Sequence, residues 1–85
     1  MVARVSVSMA SKILGRRQSE VRQCLENEGW ATGGRATLEG QRAGIVTMED
    51  EMLILPNGTR KLYRALRVTG RGLDLLSRCL ERLAA

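Results

Sequence analysis

The side chains of this sequence best able to do chemistry are its arginines. Fourteen residues are Lys or Arg, twelve of them Arg, against nine Asp or Glu, a formal net charge of +5. A guanidinium offers a planar fork of donors that matches a phosphate or a guanine edge. A basic, Arg-rich chain therefore suits a polyanion or an acidic protein surface. The plainer reading is a solvated basic face that serves solubility, and distribution decides between the two. Arg16, Arg17, Gln18, Ser19, Arg22 and Gln23 lie close together. Arg60, Lys61, Arg64, Arg67 and Arg71 follow later, with no acidic residue between Thr59 and Gly72. Arg can bond guanine through two donors, Gln can do the same for adenine, and Ser19 at a helix start can hold a phosphate. Opposing charges stand nearby: Glu20, Glu26 and Glu28 beside the first cluster, and Glu49-Asp50-Glu51 ahead of the second. If the Arg64 row pairs with those acids across a hairpin, that hairpin is roughly neutral.

Other chemistries find few residues. The chain has no His, so the commonest general base is missing. Neither Cys24 nor Cys79 has an activating partner nearby in sequence. Tyr63 beside Arg64 reads as an ordinary strand tyrosine rather than a nucleophile with a phosphate clamp. No enzyme activity is expected. With no His and no CxxC, no structural zinc or other cofactor is expected. Cys24 and Cys79 occupy apolar helical positions and read as buried thiols in a reducing compartment. With only Trp30 and Tyr63 as aromatics, base stacking on single-stranded RNA is disfavoured. No apolar run approaches the roughly 20 residues of a membrane span, and the N-terminus lacks a signal-peptide pattern.

The elements that must carry these arginines can be placed from periodicity and punctuation. At 85 residues the chain reads as one domain with a modest aliphatic core. Residues 1–8 alternate weakly and suit a short strand. Ser8 would cap a first helix from Met9 to Leu14, whose apolar face is Met9, Ala10, Ile13 and Leu14. Gly15 and the basic break Arg16-Arg17 follow. A second helix, capped by Gln18 or Ser19, carries Val21, Cys24 and Leu25 and ends near Glu28, with Gly29 as its C-cap. Ser11, Gly15 and Val21 have the spacing of a helix-turn-helix. Trp30 should fold back on the core. Ala31 to Gly44 reads as a glycine-rich loop with one helical turn around Leu38 to Ala43. Thr32-Gly33-Gly34-Arg35 is too short for a phosphate loop.

Residues 45–68 read as β-structure turned at Pro56-Asn57-Gly58. One strand runs from Met52 to Leu55 and another from Arg60 to Val68. Glu49-Asp50-Glu51 is either a second turn, giving a three-stranded meander, or the edge of one long hairpin. Thr69 would cap a last helix from Leu73 to about Leu83. Its Leu73, Leu75, Leu76, Cys79, Leu80 and Leu83 exceed what one core stripe needs, so a homodimer through this C-terminal helix is one expectation. The fold class that results is α+β, a winged helix-turn-helix.

The chain also resembles the C-terminal, KilA-C type domain of phage antirepressors. The resemblance lies in SMASKILGRRQSEVRQCLENEGW, in LEGQRAGIV and in LRVTGRGLDLL, which together span most of residues 8–76. It implies a winged-helix-like module of a phage or prophage, in the cytoplasm of a bacterial host, that binds DNA or a regulatory partner. Two functions are then expected to compete. One is binding of double-stranded DNA in transcriptional regulation, with the residues around Arg17 in the major groove and those around Arg64 on the backbone. The other is inhibition of a host protein complex, such as a CRISPR effector, through an acidic patch on that partner.

Overall fold

The computed structural model describes residues 4–84, with side chains placed through Arg82. Two short helices open it. Helix α1 spans Val7–Leu14 and α2 spans Gln18–Asn27. A small hairpin follows, β1 (Ala31–Thr32) with β2 (Arg35–Ala36), then the one-turn helix α3 (Leu38–Arg42). A long hairpin, β3 (Val46–Ile54) with β4 (Arg60–Val68), precedes the last helix α4 (Gly70–Ala84). The architecture is α+β: among the described residues, four helices and two separate two-stranded antiparallel sheets.

Local chemistry explains the boundaries. Ser6, not Ser8, caps α1, its Oγ accepting from the Met9 N–H at 3.1 Å. Ser8 is left inside the helix, where its carbonyl accepts from Ser11 Oγ at 2.7 Å. The expected leading strand reduces to one bridge, Val5 with Val68, and residues 1–3 lie outside the described ones. Neither Gln18 nor Ser19 caps α2. Arg17 holds the cap position, and the Glu20 carboxylate reaches back to accept from the Arg17 N–H at 3.2 Å. At its far end the Trp30 N–H donates to the Leu25 carbonyl at 2.9 Å, closing the helix over Gly29.

The segment expected as a loop is more ordered than that. Gly33 and Gly34 have φ of 58° and 78°, the pair of left-handed conformations that a type I′ turn requires. That turn pairs Thr32 with Arg35 and Ala31 with Ala36. Thr37 then caps α3. Its hydroxyl accepts from the Gly40 N–H at 3.0 Å and donates to the Gly29 carbonyl at 2.6 Å, tying α3 to the end of α2.

The acidic triplet makes no turn, so the three-stranded meander is ruled out in favour of one long hairpin. Glu49, Asp50 and Glu51 stand mid-strand, opposite Ala65, Arg64 and Tyr63. The register runs unbroken from Val46↔Val68 to Ile54↔Arg60. The hairpin reverses over residues 55–59, where the Leu55 N–H donates to the Thr59 carbonyl and Asn57 Oδ1 accepts from the Thr59 N–H.

One core joins these parts. Val7, Ala10, Val21, Cys24, Leu25, Ala31, Ile45, Val46, Val68, Leu76, Cys79 and Leu80 are buried together. Burying one such Val or Leu is worth roughly 1.5–3 kcal/mol. Leu73 and Leu75 pack against this cluster as well. Leu75 is half-buried and also lines a surface groove with Trp30 and Arg78, so packing inside the chain absorbs only part of the apolar surplus that suggested a dimer through α4; the Leu83 side chain lies outside the described ones. Thr69 locks α4 to the hairpin root, its hydroxyl accepting from the Gly72 N–H at 3.0 Å and donating to the Gly44 carbonyl at 2.5 Å. Among the described residues no helix is long and apolar enough to cross a membrane.

Candidate nucleic-acid interface

The outer face of α2 presents Gln18, Ser19, Arg22 and Gln23, all exposed, with Arg17 exposed just before it. The tight link after α1 sets this face beside the root of the long hairpin. Two adjacent clefts run along the junction. One, of about 290 Å³, is lined by Ser6, Val7, Ser8, Gln18, Arg22, Gly34 and Leu66. The other, of about 480 Å³, is lined by Arg35, Ala36, Gln41, Met48, Tyr63 and Arg64. They adjoin because Gly34 and Arg35 are neighbours in the Gly-Gly turn, and Arg64 and Leu66 are neighbours on one face of β4. The Ala36 N–H, 3.3 Å from Met48 Sδ, fastens the small hairpin to the large one and so positions Arg35.

Arg22 thus borders one of these neighbouring clefts, and Arg35 and Arg64 border the other. Among the described residues no carboxylate lines either cleft. Arg64 pairs with Asp50, its Nε 3.4 Å from Oδ1; these side chains are 69% and 79% exposed. An exposed pair of that kind is worth little in water and leaves the guanidinium able to take another anion.

Other cationic positions anticipated for this face are engaged elsewhere. Arg16 turns inward: Nη2 lies 2.7 Å from Glu20 Oε2, and Nη1 donates toward the Leu80 carbonyl at 3.5 Å. The hydrogen bond to Glu20 raises the Arg16 pKa above its ordinary value and, with the Arg17 N–H, holds the Glu20 carboxyl below the usual range. Arg16 thus staples α2 to α4 and is withdrawn from the face that Arg17 and Arg22 share. Arg67 is only 20% exposed. It sits on the opposite side of the hairpin between Glu51 and Glu49, the latter at 3.7 Å. Glu49 also pairs with Arg4 at 3.2 Å, and Tyr63 Oη donates to Glu51 at 2.7 Å. That face is an internally neutralised network, as cross-hairpin pairing had suggested for this region. Arg60 and Lys61 are exposed but lie at the outer end of the hairpin, opposite Ile54 and Leu53. Arg71 is exposed in the first turn of α4 beside Gly44, outside both clefts.

Sequence reasoning missed Arg35. The signal was present: a Gly-Gly pair between two short segments is a hairpin turn, and the residue after it is displayed on a rigid corner. Weighing Thr32-Gly33-Gly34-Arg35 only as a phosphate loop hid this. Among the described residues no cluster of His, Cys, Asp or Glu has the makings of a metal site. Cys24 and Cys79 are both free thiols, buried between α2 and α4. In comparisons with known proteins, no family model, no curated protein and no solved structure matches this chain.

Proposed function

We propose that this chain is a winged-helix-type module that binds double-stranded DNA and acts in transcriptional regulation. The observation that carries the reading is the pair of neighbouring clefts bordered by Arg22 and by Arg35 and Arg64, with no lining carboxylate among the described residues. In this reading α2 enters the major groove, where Gln18, Arg22 and Gln23 meet base edges. Arg17 and Ser19, at the start of α2, take the phosphate next to the groove. Arg35 and Arg64 hold the backbone on the hairpin side, and Arg60 and Lys61 extend that contact along the duplex. Arg16 and Arg67 are left out, because their guanidiniums are satisfied within the chain.

Fluorescence anisotropy against a mixed-sequence duplex, titrated over a range of salt, tests this. Binding should weaken steeply with salt, since each neutralised phosphate releases counterions. Arg35→Ala and Arg64→Ala should each flatten the slope of log K against log salt by about one. Arg67→Ala should leave the slope unchanged. No binding at low salt, or slopes indifferent to Arg35 and Arg64, would overturn the reading. The arginine face would then belong to an acidic protein surface, to be sought as a complex that forms without DNA.

A further inference from the structure

The two thiols of the chain take no part in the arginine face. Cys24 lies on α2 and Cys79 on α4, and both are buried in the one core, 0% and 6% exposed. Contacts on either side set the two helices in register. Toward the start of α2, Arg16 reaches the Leu80 carbonyl. One turn after Cys24, Glu28 Oε1 accepts from the Cys79 thiol at 3.8 Å and from Arg82 at 3.3 Å. Cys24 lies between those contacts on α2. It therefore stands level with Cys79, which is the hydrogen-bond partner of its thiol.

A buried Cys can be no more than a small apolar side chain. Adjacency adds a chemical property. These are the only two cysteines of the chain, so neither has another partner within it. In the unfolded chain residues 25–78 separate them and they seldom meet, whereas the fold holds them side by side. Whatever joins the two sulfurs is therefore favoured by the folded state, and joining them favours that state in return.

We propose that Cys24 and Cys79 form a reversible disulfide that locks α4 onto α2, so that the stability of the fold follows the thiol–disulfide poise of its surroundings. The co-reactant is a low-molecular-weight disulfide such as oxidised glutathione. One protein thiolate attacks it, forming a mixed disulfide and releasing one glutathione thiolate. The other protein thiolate attacks the protein sulfur of that mixed disulfide, closes the Cys24–Cys79 bond and expels the second glutathione. Two electrons pass from the protein to glutathione, and the two protein thiol protons end on the two glutathione thiols. Burial decides when this happens. In the closed fold neither sulfur meets a molecule of that size, so exchange takes place as the chain folds or when α4 lifts from α2. The outer fastening over Cys79 is the Glu28–Arg82 pair, with side chains 36% and 71% exposed, and such a pair is worth little. The bridge is thus slow to enter and slow to leave, a stored state rather than a rapid sensor. It needs no nucleic acid and stands whether or not the chain binds DNA.

The test is to equilibrate the whole chain with mixtures of reduced and oxidised glutathione, in native buffer and in concentrated urea. Alkylation with N-ethylmaleimide and mass spectrometry then count the bridged, mixed and reduced chains. The expected result is a bridge within single chains, with an effective thiol concentration at least roughly 100-fold higher in native buffer than in urea. The same ratio should reappear as stability, the bridged chain melting roughly 10–20 °C above the reduced one. Cys24→Ala, which cannot bridge, should melt at the same temperature with and without reductant. An effective concentration no higher in native buffer than in urea overturns the proposal. So do glutathione adducts or crosslinked pairs of chains formed in place of the internal bridge, and so does a bridged chain that melts no higher than the reduced one.

Discussion

Three arginines of one charge meet three environments, and their partners decide what each can do. Arg16 completes a contact between α2 and α4 and belongs to the scaffold. Arg67 is enclosed by two carboxylates on the far side of the hairpin. Arg64, three residues earlier on the same strand, faces outward beside a cleft and one exposed acid. The sequence showed that these residues were basic and clustered. It could not show which of them the acids would neutralise, because that depends on strand register, and a shift of one residue exchanges the two faces. Cys24 is a second case of environment ruling a side chain. Burial, with Cys79 close by, pushes its thiol up to about 12 from the ordinary 9.0. Its nucleophilic thiolate is suppressed, so iodoacetamide at pH 8 should leave Cys24 unmodified in the folded protein and alkylate it in urea. The sign of the linkage follows. Below about pH 9 the thiol is protonated in both states and contributes no pH dependence. Between there and about 12 the unfolded chain releases its proton first, so stability falls as pH rises. Thermal melts from pH 7 to 10.5 should show that fall, and Cys24→Ala should reduce it.

At the scale of elements, the long periodic segments were legible and the short ones were not. Helices α1 and α2 and the Pro56-Asn57-Gly58 reversal all lie where their patterns put them, with ends displaced by a residue or two. The caps moved because Ser6 and Glu20 offered better hydrogen bonds than Ser8, Gln18 or Ser19. The small hairpin escaped because a two-residue strand has no period to detect, whereas α3 lies where one helical turn around Leu38 to Ala43 was expected. The split of residues 45–68 stayed open for a related reason. Glu49-Asp50-Glu51 looks like a turn by composition, yet opposing arginines and Tyr63 make it a strand. The start of α4 shows a constraint that no periodicity announces. A Cβ on Gly72 would stand 2.2 Å from the Ile45 carbonyl oxygen and 2.9 Å from Val68 Cγ1. Gly72→Ala must therefore push α4 off the hairpin root, at a cost of roughly 1–3 kcal/mol. In a domain of this size the melting temperature should drop by roughly 5–20 °C in calorimetry. A change of a degree or less would show that α4 approaches the sheet less closely than described.

At the scale of the whole molecule, the chain is long for its mass, 48 × 27 × 26 Å, because the hairpin outruns the core. From Val46 to Ile54 the strand advances about 27 Å. Its first residue is fully enclosed and its last is two-thirds exposed. Val68, paired with both Val46 and Val5, closes the root of the arm from either side. This gradient in support was hidden in the sequence, where the arm's end is as hydrophobic as its root. Its consequence is kinetic. The outer rungs can part and re-form without disturbing the helices, while the inner rungs open only when the molecule unfolds as a unit. Amide hydrogens that bridge the two strands should exchange with deuterium in order of distance from Val68, fastest near Ile54 and Arg60. A flat exchange profile along the hairpin would mean instead that the arm opens as a single block, and that its outer rungs borrow their stability from something beyond the chain itself.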